Sequence, residues 1–213
     1  MAIKLKGSTD GSVTLEAPAD TSPSGTNKTF SLPAADGTDG QVLSTNGSGA
    51  LSFSSVPALA ITDVDQWYLT GDITADETYL TSSNVARNNF TRAAQIGTGM
   101  SISNEHWTFP KTGKWLVILN SMFYMVSGDS INGVIFASTD GGTNYDLVTF
   151  GVDGNSTGSS NYGGCSAMYF IDITDTSTDK VSLYYNSIAS GSAVRGDSAR
   201  IETNALFIRL GDT

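Results

Sequence analysis

The sequence predicts an all-β protein in which an extended N-terminal β arm, residues 1–56, precedes a β-sandwich or jelly roll, residues 57–213. Short apolar runs bounded by turn residues recur along the C-terminal part, about eight to ten in number, and none has convincing helical periodicity. The composition, with 23 Gly and only 15% charged residues, is typical of strands and tight turns. Among the aromatic residues only Phe30 and Phe53 precede Pro57, so the core is C-terminal.

The arm consists of short extended runs that turn residues interrupt. Asn46-Gly47 predicts a two-residue type I′ hairpin turn near its end, and Pro33 ends an earlier run. Because the runs hold almost no core-forming residues, we expect them to become ordered only by pairing with other chains or by packing against a larger domain. The runs are predicted at residues 2–6, 13–17, 30–32, 41–44 and 50–53. The apolar anchor candidates are Phe30, Leu32, Val42, Leu43, Leu51 and Phe53.

The character of the sequence changes after residues 56–60, which we interpret as the junction between the arm and the C-terminal head. The spacing in 83–94 is compatible with one or two helical turns, but Asn88-Asn89 interrupts it, so we interpret that segment as a loop. A turn at 104–105 joins its neighbours into a hairpin. Extended runs are predicted at residues 66–70, 72–81, 101–103 and 107–110.

The strongest predicted strand, residues 114–126, is apolar on both faces. An antiparallel sheet with one solvated face alternates apolar and polar residues, and this strand does not. Burying a Leu, Ile or Phe side chain is worth roughly 1.5 to 3 kcal/mol, so the second apolar face needs another layer, most simply another subunit. The candidates for core and interface are Trp115, Leu116, Val117, Ile118, Phe123, Tyr124, Phe170 and Phe207. The pattern leaves open which face is core and which is interface.

Further strands are predicted at residues 131–139, 145–152, 165–174, 180–188 and 200–210. Between them lie two long loops, 153–164 and 189–198, which are rich in Gly, Ser and Asn. Such loops suit adaptable polar recognition, so Tyr162 and Arg195 are candidates for contact with a partner surface. The alternative, that both loops are exposed connectors, stays open.

Charge and cysteine content argue against several classes of function. Eleven Lys and Arg against 21 Asp and Glu give a net charge of −10, which repels phosphate backbones and disfavours nucleic-acid binding. Cys165 is the only cysteine and His106 the only histidine, so no disulfide framework or metal cluster is predicted. No apolar run approaches the roughly 18 residues of a membrane span, and residues 1–10 lack a signal-peptide core. We expect a protein made in the cytoplasm and not inserted in a membrane.

No catalytic, metal-binding or cofactor-binding residue is predicted. The pairs Asp63 with Asp65 and Asp172 with Asp175 could serve a glycosidase, but no substrate-groove signature accompanies them. The turn at 36–40 resembles part of a calcium loop and lacks its further ligands, so turn formation is its ordinary interpretation. We therefore expect a protein that is not an enzyme.

A hairpin ending in Phe-Pro, then Thr-Gly, an aromatic residue and a β-rich strand occupy residues 107–119, WTFPKTGKWLVIL. This pattern resembles the start of the long central strand in the globular heads of complement-type and tumour-necrosis-factor-like proteins. Later segments fit the same scheme: STDGGTNY at 138–145 as a hairpin, FIDIT at 170–174 as an inner strand and NALFIRL at 204–210 as the last strand. The resemblance implies a jelly-roll head and a homotrimer with the two-faced strands near its threefold axis.

Residues 30–53 of the arm, FSLPAADGTDGQVLSTNGSGALSF, are similar to a segment of fibre and tail proteins of tailed phages, particularly those of marine and cyanobacterial hosts. The stretches IGTGMSIS at 96–103 and FIRLGDT at 207–213 resemble jelly-roll domains of phage virion proteins. The resemblance implies a structural virion protein, a trimeric fibre or tail appendage whose arm binds other virion proteins and whose head contacts a host-surface glycan or protein. A capsid-decoration trimer, a host-glycan-degrading tip enzyme and a secreted adhesin remain the alternatives.

Overall fold

The structure, a computed structural model, describes residues 3–6, 12–15, 27, 29–55, 61–91 and 93–213. The chain divides into two compact units, Met1–Ala58 and Leu59–Thr213, here called the arm and the head. The regular structure of the described residues is strand, which confirms the all-β prediction. Among them there is no helix with the length and apolarity needed to cross a membrane. The predicted junction at 56–60 lies outside the described residues.

The arm contains two antiparallel hairpins that involve four short strands. In each hairpin a strand pairs with the next one along the chain, and an isolated parallel bridge joins Ser31 to Ala50 beside the second hairpin. The strands are β1 (Ile3–Lys6), β2 (Ser12–Leu15), β3 (Gln41–Thr45) and β4 (Leu51–Ser55).

The predicted type I′ turn between β3 and β4 is wrong. A type I′ turn needs positive φ at both central residues, and Asn46 does not have it, although Gly47 (φ 80°) and Gly49 (φ 93°) do. Instead the Asn46 Oδ1 accepts hydrogen bonds from the backbone N–H groups of Ser48 (2.8 Å) and Ala50 (3.2 Å). The Asn46 side chain therefore organises a longer loop, and the hairpin forms around it.

The head is a sandwich of two antiparallel sheets. The front sheet has the order β13-β10-β16-β5-β7, with β15 paired to the end of β10. Its strands are β5 (Val64–Leu69), β7 (Val85–Arg87), β10 (Gly113–Met125), β13 (Asn161–Ile173), β15 (Ala193–Val194) and β16 (Asn204–Gly211).

The back sheet has the order β12-β11-β14-β9-β8, with β6 paired to β14. Its strands are β6 (Thr78–Tyr79), β8 (Ser101–Ser103), β9 (His106–Thr108), β11 (Ser130–Ser138), β12 (Asp146–Gly154) and β14 (Lys180–Asn186).

The core lies between the two sheets and is rich in aromatic residues. Along β10 every second residue, beginning with Gly113, is buried, and the residues between them are half-buried. Trp107 of the back sheet packs against Phe207 of the front sheet with 5.1 Å between ring centroids, and Phe109 packs against Trp115 at 5.2 Å. The face of β10 that carries Trp115 is therefore the core face, and the opposite face of the strand is the outer one.

At one side the sandwich is closed by the close approach of β12 and β13. A Cβ atom on Gly151 would lie 2.8 Å from the backbone oxygen of Ser166, so only glycine fits at this position of β12. Across the same seam the Asp153 Oδ2 accepts a hydrogen bond from the Gly164 N–H at 2.7 Å. Glycine in the strands therefore lets two sheets that would otherwise stay about 10 Å apart meet at their edges.

Some predicted segments have a different structure. Residues 85–87, interpreted as part of a loop, form β7, which pairs with β5 at the edge of the front sheet. Of the predicted extended run 72–81 only Thr78–Tyr79 is strand. Half of the predicted loop 153–164 is strand, because β12 runs to Gly154 and β13 begins at Asn161. Cross-strand pairing along β10 holds the Gly- and Ser-rich start of β13 extended, and its composition does not reveal this.

Candidate interaction surface

The outer face of the front sheet carries an apolar surface over three adjacent strands, the edge strand β13 and, next to it in order, β10 and β16. The register places Leu116 of β10 between Phe170 of β13 and Ile208 of β16. One pair further along, Ile118 lies between Met168 and Leu206 in the same way. Phe170 is 54% and Met168 58% exposed, which is unusual for side chains of this size. We call these six residues the front patch.

The predicted core and interface candidates divide between the two faces of the front sheet. Trp115, Val117, Phe123 and Phe207 are fully buried between the sheets. Leu116, Ile118, Tyr124 and Phe170 lie on the outer face. A single alternating strand thus supplies both core and surface, as expected when side chains point to opposite faces with period two.

Tyr162 and Arg195, the predicted recognition residues, do not lie on loop tips. Tyr162 belongs to β13 and packs against Tyr124 at the end of the outer face, with 5.2 Å between ring centroids. Arg195 forms ion pairs with Asp72 and Glu202, and its backbone N–H binds the carbonyl of Met122. The guanidinium of Arg195 is therefore held by ion pairs inside the head, whereas the Tyr162 ring is exposed.

A row of polar side chains crosses the outer face above the front patch. It contains one residue from each of β13, β10, β16 and β5, and one that directly follows β7, and hydrogen bonds connect neighbours along the row. The residues are Ser166, Asn120, Asn204, Gln66 and Asn88, here called the amide belt. No sequence pattern predicts the amide belt, because its residues come from five separate segments and meet only through the strand register.

The back sheet also exposes apolar side chains, and these lie along its edge strand β12. Leu147, Phe150 and Val152 are each more than half exposed. Among the described residues β12 forms a ladder with β11 only, and β13 approaches its other side without a ladder. We call the three residues the edge patch. Further from this edge, Tyr79 and Tyr184 pack together with 4.6 Å between ring centroids.

Two buried carboxylates organise the beginning of the head. The Asp63 carboxylate accepts hydrogen bonds from Lys111 Nζ (2.9 Å) and from the Thr98 N–H (3.2 Å). The Asp65 carboxylate accepts hydrogen bonds from the Met100 N–H (2.7 Å) and from Arg87 Nε (3.0 Å). We call Asp63 and Asp65 the carboxylate hub. Burial alone would raise the pKa of Asp63, but the hydrogen bonds, led by that from Lys111, hold it below its ordinary value.

Of the four carboxylates considered for glycosidase chemistry, Asp63, Asp65 and Asp175 are engaged in structural hydrogen bonds. Asp175 accepts hydrogen bonds from the N–H (2.8 Å) and hydroxyl (2.6 Å) of Ser177, which lower its pKa. A general acid in glycoside hydrolysis needs a raised pKa, and neither Asp63 nor Asp175 has one. A cleft of about 510 Å³ is lined by Asp172 but not by Asp175, so the two carboxylates do not share this cleft.

The remaining chemically versatile residues have structural contacts. His106 Nδ1 lies 2.7 Å from the Tyr145 hydroxyl, and the two rings are stacked. Cys165 is half-buried near Gly151, and burial raises the pKa of its thiol. Within the described ranges no group of three or more His, Cys, Asp or Glu side chains is arranged to hold a metal ion.

The predicted anchor residues of the arm remain largely exposed. Phe30 and Leu32 are 64% and 76% exposed, and Val42, Leu43 and Phe53 are also exposed, whereas Leu51 is half-buried. The Phe53 ring covers the backbone of Gly37, which has no side chain to block it. A two-stranded hairpin with this much exposed apolar surface is marginally stable by itself.

Comparison with known proteins identifies the fold. No protein-family model matches the sequence, and no curated protein matches it. The structure is similar to murine APRIL at pH 5.0, with a TM-score of 0.51 and 12% identity over 70% of this chain and 98% of that chain. It is also similar to Eiger TNF from S. frugiperda, with a TM-score of 0.50 and 11% identity over 70% of this chain and 93% of that chain. The head is therefore a tumour-necrosis-factor-like jelly roll, as the resemblance predicted.

Proposed function

We propose that the chain is a structural protein of a tailed-phage virion, a trimeric fibre or tail appendage with an anchoring arm and a jelly-roll head. The observation that carries the trimer is the front patch. Its largest members, Phe170 and Met168, remain more than half exposed in a single chain. Contiguous apolar surface of this kind marks an interaction site, because leaving it in water forgoes roughly 25 cal/mol per Å².

A second surface on the same head supports a closed ring. A cyclic trimer is built from heterologous contacts, so each copy must present two different surfaces that fit one another. The front patch on one copy and the edge patch on the next provide such a pair. Both are apolar, and the front patch lies on a sheet face while the edge patch lies on an edge strand.

The virion role rests on the arm. Its segment 30–53 resembles phage fibre and tail proteins, and its exposed anchor residues need a partner. Other virion proteins, or the arms of sister chains, would bury those side chains. Because the arm would provide the attachment, the head could bind a host-surface glycan or protein through its loops.

The topology of the head suits such presentation. Val64, where β5 begins, is paired with Ile208 near the end of the described chain. The loops after Met125 and Gly154 lie at the other end of the sandwich, since Met125 pairs with Asn161 and Gly113 with Ile173. Recognition loops at that end would be held on a rigid scaffold.

Two measurements test the proposal. Light scattering coupled to size-exclusion chromatography should give three times 22.3 kDa, and a monomer at all concentrations would remove the explanation of the front patch. Labelled cryo-microscopy of virions should then place the protein on a tail or fibre. Label on the capsid shell would instead support a capsid-decoration trimer. If the purified protein cleaved host glycan and Asp172→Asn abolished the cleavage, the protein would be an enzyme.

A further inference from the structure

The amide belt runs without interruption across the outer face of the front sheet. The Ser166 hydroxyl donates to Asn120 Oδ1 at 2.7 Å, and Asn120 Nδ2 lies 3.5 Å from Asn204 Oδ1. Gln66 Nε2 also donates to Asn204 Oδ1 at 3.4 Å, and Asn88 Nδ2 donates to Gln66 Oε1 at 2.6 Å. Neighbours across five segments are thus joined by side chains alone, on a face that is otherwise mainly apolar.

The middle of the belt has hydrogen-bonding capacity left over. Asn204 Oδ1 accepts from two amides, whereas Asn204 Nδ2 makes no hydrogen bond to any described residue. Asn120 Nδ2 has only the long 3.5 Å contact for its two N–H groups. Both side chains are half-buried on the outer face, so these N–H groups are available to a surface that covers the sheet.

The belt lies inside the proposed subunit contact. It follows directly after the pair row of Ile118 and Leu206, because Asn120 and Asn204 are the next outward-facing pair of the β10–β16 register. Beyond it on the same face, Met122 and Tyr124 resume the apolar character. A surface that covers the front patch over its length therefore also covers the belt.

We propose that the amide belt sets the register of the subunit contact, with the spare N–H groups of Asn120 and Asn204 donating to hydrogen-bond acceptors on strand β12 of the neighbouring copy. The inference rests on the proposed trimer. The occupant is a second copy, since β12 is the edge strand of its sheet and carries the exposed apolar side chains of the edge patch.

The physical reason is that apolar contacts alone define position poorly. A neighbour displaced by two residues along β10 would still bury Leu116 and Ile118, because apolar attraction has no direction. Covering the belt out of register would leave its N–H groups unpaired, and one unpaired buried amide disfavours that arrangement by roughly five- to a hundredfold. A polar layer inside an apolar interface has this specifying role in coiled coils.

The test removes the polar layer and keeps its volume. In the full-length chain, Asn120→Leu combined with Asn204→Leu should still associate, but native mass spectrometry should show several oligomeric species where the wild type shows one of three chains. The matched control is Gln95→Leu, which removes an amide that donates to the carbonyls of Gly97 and Thr98 and belongs neither to the belt nor to the front or edge patch. It should leave the species distribution unchanged.

The outcomes separate the two proposals. A wild-type chain that is monomeric overturns the trimer, and the belt's role with it. If the wild type is trimeric and the double variant also forms only trimers, the role of the belt in setting the register is refuted, and the trimer is not. A double variant that melts at lower temperature but keeps the wild-type distribution also overturns it, since the belt would then act only within one chain.

Discussion

Replacing Phe170 and Met168 by serine should dissociate the trimer without unfolding the head. Both side chains lie on the outer face of β13, and less than half of each is covered in a single chain. Neither belongs to the buried cluster between the sheets, so the fold of one chain loses little from their removal. The proposed contact with a second copy would bury the exposed remainder and depends on it.

The exposed fractions give the size of the effect. Full burial of a Phe or Met side chain is worth about 1.5 to 3 kcal/mol, and roughly half of each remains to be buried on assembly. The pair therefore contributes about 1.5 to 3 kcal/mol to each subunit contact. Over three equivalent contacts this is about 5 to 9 kcal/mol, which weakens trimer association by more than about a thousandfold.

The assay is light scattering after size-exclusion chromatography over a range of loading concentrations, with thermal unfolding followed in parallel. The matched control is Tyr79→Ser, which removes a partly exposed ring of similar size from the back sheet and should leave the mass unchanged. A double variant that remains trimeric at all concentrations would refute the front patch as the interface. A double variant that fails to fold would contradict the assignment of these side chains to the outer face.

Three further predictions concern the interior of the head. Gly99→Ala should lower the melting temperature, because φ of residue 99 is +76° and the new Cβ would lie 2.6 Å from Gln95 Nε2 and 2.7 Å from Asp65 Oδ2. An unchanged melting temperature would contradict this close packing around the carboxylate hub. Ser121→Ala should cost about 1 to 3 kcal/mol in denaturant unfolding by leaving the buried Tyr185 hydroxyl unpaired, and adding Tyr185→Phe should recover most of it. The pKa of Asp63 is lower in the folded than in the unfolded chain, so the ionised carboxylate stabilises the fold above the ordinary pKa of 3.8, and this stabilisation is lost as the pH falls below 3.8. Lys111→Met should therefore flatten the acidic part of the curve of unfolding free energy against pH. An unchanged curve would show that the ion pair is not the source of the pH dependence.

The sequence predicted the strands and the two-faced central strand because both depend on local periodicity. The alternation over residues 114–126 is long enough to be read without knowing the partner strands. Strand β7 could not be predicted in this way, since three residues beside Asn88 carry no periodic signal and become a strand only by pairing with β5. The glycines at the start of β13 predict a loop, but Gly163 and Gly164 are needed where Asp153 of β12 and Ser121 of β10 approach, and not for a turn.

The surface could be predicted only in part, for a related reason. The sequence identified Leu116, Ile118 and Phe170 as candidates, but their grouping depends on register between strands far apart in the chain. Arg195 was selected by loop composition, which cannot show that Asp72 and Glu202 neutralise it. The amide belt gave no signal, because Asn and Gln at single positions are common in strands facing water.

The carboxylate hub also bears on how the head loses structure. Asp63 and Asp65, at the start of the first head strand, receive hydrogen bonds from Arg87, Met100 and Lys111, which come from three later segments. Loss of Arg87 or Lys111 would leave a buried carboxylate without its cationic partner, at a cost of about 3 to 5 kcal/mol. The first strand of the head therefore cannot fray as terminal strands usually do, and its amide protons should exchange with solvent only when the whole head opens.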